Sequence, residues 1–301
     1  MKIFITGGTG FIGKHVVERL LKNGDKLLLL TLTDADLPAS WKKNKKIKFV
    51  GGDLSNFKKW ERRVKQFKPE TIMHLAWAGL GTNDYGAKTS LKNLRYGLNI
   101  ISLAAEIKCK KFLSLGSSWE YGKNKGKLKE SDELKAPIHV PSFVFIKRVL
   151  ELLGEQIALE NNIQFFWARV FFAYGPGQKP SSLLPYIAKS FKSGIRPVIQ
   201  NKTGGNDFVY VEDVADAIVK ILKNCKKPTA IYNVGSGRLT SVARMANLAA
   251  KYFRKPPPLK EPKKIKGFCA DISKIKREIG WRPKTSINEG VKETIEYLKT
   301  Q

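Results

Sequence analysis

Three cysteines in 301 residues, Cys109, Cys225 and Cys269, are too few and too far apart to form a disulfide framework, which excludes the small stapled secreted class. Histidine is as scarce. His15, His74 and His139 share no ligand spacing with one another or with the cysteines, so no metal site is expected. No apolar run approaches the roughly twenty residues that span a bilayer. Met1 leads into an apolar strand without a leader pattern, so a cytoplasmic protein with no membrane insertion is expected. Acidic residues are outnumbered 26 to 55, which leaves a net charge of +29. Such an excess suggests nucleic acid, because phosphate neutralisation dominates that kind of binding. The basic residues are mostly lysines, however, scattered through stretches such as 42–46, 123–129 and 260–266, and no RNA-binding signature or aromatic interleaving accompanies them. Specific nucleic-acid binding is therefore not expected, whereas a small anionic partner such as a nucleotide diphosphate would gain from the same field.

What the chain does have begins at its first residue. Ile3 to Thr6 read as a buried strand, and Gly8-x-Gly10-x-x-Gly13 follows at once. Val16, Val17, Leu20 and Leu21 then give helical spacing over 14–22. A strand, a glycine turn and a helix N-terminus form a pyrophosphate cradle, because backbone amides and the positive dipole end face the anion. The same stretch falls short of a triphosphate loop, since His15 stands where a Ser or Thr would ligate magnesium. Lys26 to Thr31 form a second strand with the apolar continuity of a parallel sheet. An Asp or Glu for the adenosine ribose belongs at its end when the cofactor is NAD. Thr31 stands there, so NADP is permitted, with Asp34 as an alternative ribose ligand and Lys42 or Lys43 as phosphate contacts. Further strands are expected at 47–50, 71–76 and 112–115. Asp53 should lie at a strand end or helix cap, and His74 should be packed in its strand. A helix over 89–107 is expected to carry Leu91, Leu94, Leu98, Ile101 and Ala105 on one face.

Several motifs in order, Thr6-Gly7-x-x-Gly10-x-x-Gly13, Gly52-Asp53-Leu54, His74-Leu75-Ala76, Asn93, Ser117 and Tyr121-Gly122, resemble the extended short-chain dehydrogenase/reductase family in its nucleotide-sugar epimerase/dehydratase branch. Arg169, Tyr174-Gly175-Pro176-Gly177, Asp207-Phe208-Val209-Tyr210-Val211, Tyr232-Asn233-x-Gly235 and Gly280-Trp281-x-Pro283 continue the resemblance over nearly the whole chain. It implies an α/β protein with a Rossmann-type doubly wound parallel sheet over 1–169. A smaller α/β substrate domain is implied over 170–301, with segments near 207–224 returning to the first. It also implies NAD or NADP held by Gly7, Gly10, Phe11, Ile12, Gly13, Thr31, Asp53, Leu54, Leu75, Ala76, Ala78, Asn93, Lys147 and Phe171. A homodimer paired through the helices around 91–105 and 144–159 is implied as well.

In that family a Tyr moves the proton of a sugar hydroxyl while a Lys four residues later tunes it, and i and i+4 share one helix face. Here Lys147 is in place and Ser117 matches the hydroxyl position, but Phe143 occupies the place of the Tyr. Phenylalanine has no proton to give, and losing such a group costs on the order of 100- to 10,000-fold. Three explanations stand, in this order: an introduced Tyr-to-Phe substitution, a natural chain using Tyr121, Ser117, Ser118 or water instead, or a binding protein that kept the fold without turnover. The sequence Ser117-Ser118-Trp119 lacks the acidic pair of the dehydratases. The resemblance therefore points to a 4-epimerase with NAD or a 4-ketoreductase with NADPH. Glu120 reads as a structural partner of its loop. The substrate, a nucleotide diphosphate sugar, would meet Ser117, Ser118, Trp119, Phe172 and Asn206. Phe172 stands where relatives carry Asn, and Asn206 where they carry Arg, so the sugar is unreadable. A non-catalytic dinucleotide-binding protein with an RNA-contacting basic surface is the alternative.

Overall fold

The computed structural model describes residues 1–33, 37–137, 139–201 and 203–301. Asp34, the alternative ribose ligand of the sequence reading, lies outside them. In chain order the described elements are β1 (Lys2–Thr6), α1 (Phe11–Lys22), β2 (Lys26–Thr31), α2 (Ala39–Lys42), β3 (Ile47–Gly51), α3 (Phe57–Phe67), β4 (Thr71–His74), α4 (Ala87–Glu106), β5 (Lys111–Ser117), β6 (Gly126–Leu128), α5 (Pro141–Glu160), β7 (Gln164–Val170), β8 (Phe172–Tyr174) and α6 (Leu183–Lys192). They continue with β9 (Gly205–Asn206), β10 (Phe208–Tyr210), α7 (Val211–Asn224), β11 (Thr229–Val234), β12 (Thr240–Ser241), α8 (Val242–Tyr252), β13 (Phe268–Ala270), α9 (Ser273–Ile279) and α10 (Ile287–Thr300). One compact unit comprises Met1–Lys123, Leu134–Arg169 and Ile218–Tyr232, and a second comprises Asn124–Glu133, Val170–Ala217 and Asn233–Gln301.

The central sheet runs β3-β2-β1-β4-β5-β7-β11. The pairs β2 with β3, β1 with β2, β1 with β4 and β4 with β5 are parallel. Chain order reverses between β1 and β4, and in open α/β sheets the crevice beyond the carboxyl ends of the strands at such a switch is the ligand site. Burial explains why the strands read as unbroken apolar runs. Ile3, Phe4, Ile5, Leu27 and Leu29 have no accessible surface, because helices cover both faces of the sheet. Trp60, Val64, Ile100, Ile101, Leu103 and Phe165 belong to one core cluster, and each such side chain stabilises by about 1.5–3 kcal/mol relative to exposure.

The packing of α4 departs from its sequence pattern. The helix buries Ser90, Asn93, Gly97, Ile100, Ile101 and Ala104, while Leu91 is 59% exposed. At Gly97 an added Cβ would sit 2.6 Å from the Leu150 side chain of α5. Leu94, Leu98 and Ala105 still pack against the core and Ile101 lies within it, so of the expected stripe only Leu91 faces outward.

In the second unit β8 pairs with β10 in parallel, β9 with β12 antiparallel and β6 with β13 in parallel. Its core joins Leu184, Ile187 and Phe191 of α6 to Met245 and Ala249 of α8 and to Val291 and Ile295 of α10. Asp207 ties this unit internally, accepting from Ser236 N, Gly237 N and Ala270 N. Three amides around one buried carboxylate satisfy groups that would otherwise be costly to bury.

Candidate functional site

A cleft of about 390 Å³ opens at the switch between β1 and β4, lined by Thr6, Gly7 and Thr9 from the glycine turn and by Ala76 to Gly79 beyond β4. Thr31, Gly52, Asp53, Leu54, Thr82, Asp84, Thr89, Lys92 and Tyr96 are also among the lining residues. Gly7 adopts φ +75, and a Cβ there would lie 2.5 Å from Ala76 N, so only glycine lets the turn rest against the end of β4. At Gly13 a Cβ would meet Gly7 O at 2.0 Å, which makes this glycine the point where α1 docks on the turn. Helix α1 starts after Gly10 with no side-chain cap and no acid in its first turn. Its N-terminal end therefore keeps an electropositive character suited to an anion.

Not every residue expected to touch a cofactor lines this cleft. Phe11 and Ile12 open α1 and, like Gly10 and Leu75, are not among the cleft-lining residues. Asn93 is buried and commits its amide to backbone, accepting from Ala78 N at 2.8 Å and donating to Ala78 O and Thr89 O at 3.0 Å. It braces the loop that lines the cleft. Asp53 faces the cleft and also caps a 3-10 turn, Leu54–Asn56, accepting from Ser55 N. The Thr31 hydroxyl donates to Thr33 O. Asp53 is among the lining residues and no arginine is, so the lining offers no arginine to the 2′-phosphate of the NADP that Thr31 permits. Phe171, Phe172 and Asn206 belong to the second unit. Phe171 is buried with its ring 6.1 Å from Phe268, Phe172 lies in β8 with its ring 6.2 Å from Phe208, and Asn206 pairs with Thr240.

Phe143 and Lys147 lie one turn apart on the buried face of α5. The residue preceding that helix, Val140, has φ +46, a conformation that costs a β-branched side chain on the order of 1–3 kcal/mol and marks a constrained entry. Lys147 Nζ donates to Leu115 O at 2.7 Å, stands 3.7 Å from the centre of the Trp77 ring and 5.3 Å from that of Phe143. Burial, opposed by the Glu120 charge, pushes its ammonium down to about 8. Ser117 ends β5 two residues beyond Leu115 and accepts from Trp119 N, and the Trp119 ring meets Phe143 edge to face at 5.8 Å. Trp77 and Tyr85 meet the same ring at 5.3 and 5.4 Å. The three expected catalytic positions thus converge on an aromatic box, and Trp77 and Tyr85 are members that the sequence reading missed. Neither carries a motif. Only the folded loop after β4 brings them to α5.

The substitute donors named from the sequence fare unequally. Tyr121 has no accessible surface, and its hydroxyl accepts from Arg169 Nη1 at 3.5 Å, which removes it from the box. Ser118 is buried, while Ser117 remains half-buried. His74 is fully packed, its Nδ1 2.7 Å from Thr6 Oγ1, and burial followed by the Lys147 charge pushes it down to about 3. It stays neutral and structural.

Behind β5 lies a buried ion cluster. Glu120 Oε1 accepts from Ser117 N at 2.6 Å, and its Oε2 accepts from Trp167 Nε1 and Arg169 Nε. Arg169 Nη2 donates to both oxygens of Glu151 at 3.0 and 3.1 Å. Glu120 is therefore the anchor of the Ser117 loop, as its place in the sequence suggests. Burial, reinforced by the negative Glu120, pushes the Glu151 carboxyl up to about 8. The native pKa lies above the unfolded value near 4.5, so the native state binds the extra proton. The resulting stabilisation is complete below pH 4.5 and is lost as pH rises to about 8. Urea midpoints are expected to fall across that window. Glu151→Gln, which carries no titrating proton, should flatten the slope, and an unchanged slope would place the dependence elsewhere.

The model of the NAD dependent epimerase/dehydratase family matches residues 3–235. UDP-glucuronate 4-epimerase from Thermodesulfobacterium geofontis is 26% identical over 98% of this chain and 95% of that protein. Protein CapI of Staphylococcus aureus is 25% identical over 99% of this chain and 98% of its own length. The crystal structure of UDP-glucose 4-epimerase from Thermotoga maritima, solved with UDP-glucose, matches with a TM-score of 0.84 at 26% identity, covering 100% of this chain and 99% of that one.

Proposed function

The chain belongs to the NAD-dependent epimerase/dehydratase family, and from that premise we propose that it binds NAD in the cleft at the β1/β4 switch and acts on a nucleotide-linked sugar by hydride transfer at a ring carbon, in the manner of a 4-epimerase. The observation that carries the reading is the convergence of Phe143, Lys147 and the Ser117 loop beside a cleft floored by Gly7 and Ala76. The cleft fits the cofactor: Gly7 supplies close backbone, the start of α1 supplies uncapped amides, and Asp53 supplies a carboxylate suited to ribose hydroxyls. When bound, the dinucleotide supplies a hydride acceptor and donor. Lys147 contributes a positive charge at the reaction centre, and Ser117, held through its N–H by Glu120, contributes a hydroxyl that can hold the reacting oxygen. Trp77, Trp119 and Phe143 exclude water from that point. The absence of an acidic pair after Ser117 sets water elimination aside, since Glu120 is committed to Arg169 and Trp167. Nucleotide sugars enter this reading because the similar proteins carry them in their names, UDP-glucose and UDP-glucuronate.

The test is epimer formation from UDP-glucose and UDP-glucuronate with NAD, followed by NMR, for this chain and for Phe143→Tyr. Turnover by either supports the reading, and turnover by neither overturns it. Native mass spectrometry adds a second measure, because a retained NAD is expected of a protein that recycles its hydride.

We also propose a homodimer. Leu91 of α4 and Phe145, Leu152 and Leu153 of α5 are 59%, 51%, 65% and 44% exposed, side chains that a second copy could bury. Leu91→Glu combined with Leu152→Glu is expected to convert dimer to monomer in light scattering, while an unchanged mass would dispose of this interface.

A further inference from the structure

Taking a hydride from a carbinol carbon leaves the hydroxyl proton to be accepted, and returning the hydride to the ketone requires a proton to be given back. At position 143 the chain has a ring without a hydroxyl. Of the rings packed against it, Trp77, Tyr85 and Trp119, one carries a phenol. Tyr85 meets Phe143 edge to face at 5.4 Å and Trp119 at 5.9 Å. It is half-buried, so it reaches both the box and water.

Its placement is built into the loop. Gly79, at φ +91, lets the chain turn so that Asp84 N donates to Gly79 O at 2.9 Å. The Asp84 carboxylate then accepts from Gly86 N and from Thr89 Oγ1, which fixes the residue between them, and Ser90 Oγ donates to Tyr85 O at the head of α4. Asp84 and Thr89, on either side of Tyr85, line the proposed cofactor cleft.

We propose that Tyr85 is the proton-transferring residue of this enzyme, reaching across the Phe143 ring to the sugar oxygen; the inference rests on the nucleotide-sugar reading above. In the reducing direction the Tyr85 O–H bond breaks and its proton forms the new hydroxyl on the sugar, while the carbonyl carbon receives a hydride from the reduced nicotinamide dinucleotide. The phenolate left behind recovers a proton from water. In the oxidising direction each bond change runs in reverse, the phenolate taking the hydroxyl proton. Desolvation raises the phenol above its ordinary value, which keeps the donor form filled at neutral pH.

Four proteins test this: the chain itself, Tyr85→Phe, Phe143→Tyr and the double variant, each assayed for epimer formation with the two UDP-sugars. Tyr85→Phe is expected to lose about 100- to 10,000-fold in turnover with NAD affinity unchanged, and Phe143→Tyr placed on top of it is expected to restore turnover. An independent readout is the ultraviolet titration of tyrosine ionisation with and without oxidised NAD. One phenol should ionise at lower pH when the positively charged nicotinamide is bound, and that component should be missing from Tyr85→Phe. If Tyr85→Phe stays within about threefold of the parent, or if the parent is inactive and Phe143→Tyr alone turns over, the role of Tyr85 falls while the functional reading stands. If neither the parent nor Phe143→Tyr turns over, the functional reading falls and takes this inference with it. An identical titration shift in Tyr85→Phe also overturns the assignment.

Discussion

Arg169→Met is expected to destabilise the protein by about 3–5 kcal/mol at neutral pH, the cost of removing one partner from a buried ion cluster. Arg169 is 2% exposed and bonded to both Glu120 and Glu151, themselves at 0% and 5%. Burial works against its charge, yet Glu120 and Glu151 together outweigh that and raise its pKa. Without the guanidinium, the two buried carboxyls face each other with no cation, and any negative charge left on them is relieved by protonation at lower pH. The loss should therefore shrink as the pH is lowered, which distinguishes an uncompensated charge from a simple cavity. The effect reaches function through Glu120, whose Oε1 holds Ser117 N. Chemical denaturation at pH 7 and pH 5 measures the first part, and turnover of the folded fraction measures the second. A loss that is small and independent of pH would show that the cluster is not the support described here.

Gly13→Ala is the second large effect. A methyl at that position would sit 2.0 Å from Gly7 O and 2.9 Å from Gly8 Cα, both backbone, so no side chain can rotate away to make room. Overpacking of this kind costs about 1–3 kcal/mol. Here α1 must slide outward from the turn, and the amides at its start move with it. If that cost falls on the bound state, NAD affinity drops roughly 5- to 150-fold. Calorimetric titration with NAD, alongside Gly51→Ala, where an added Cβ meets nothing within 4 Å, separates the local effect from a general loss of stability. Equal affinities in the two variants would count against the cleft as the dinucleotide site.

The first unit was legible in the sequence because its signals are local. Apolar runs at Lys2–Thr6 and Lys26–Thr31 and glycines at fixed offsets each report on a few consecutive residues, and the strands formed where the pattern placed them. Long-range packing was less legible. Of the α4 residues expected inward, Leu94, Leu98, Ile101 and Ala105 do meet the core and Leu91 does not, while the close approach of Leu150 from α5 at Gly97 was not readable from the spacing. Tyr121 looked available as a donor in the sequence, since nothing nearby in the chain announces that Arg169, 48 residues away, claims its hydroxyl. Tyr85 was invisible for the converse reason. Its significance depends on a loop conformation, set by Gly79 and Asp84, that carries it to a helix more than fifty residues further on.

The contact between Lys147 and Trp77 has a practical consequence. An ammonium 3.7 Å above an indole perturbs the excited state of that ring, so Trp77 emission depends on where the lysine stands. A ribose hydroxyl that draws Lys147 away would change that emission, giving the protein an intrinsic optical reporter of loading that needs no label and no turnover. The Trp77→Phe variant should lose most of that response, leaving the smaller part from Trp167, whose ring centre lies 5.8 Å from the same ammonium.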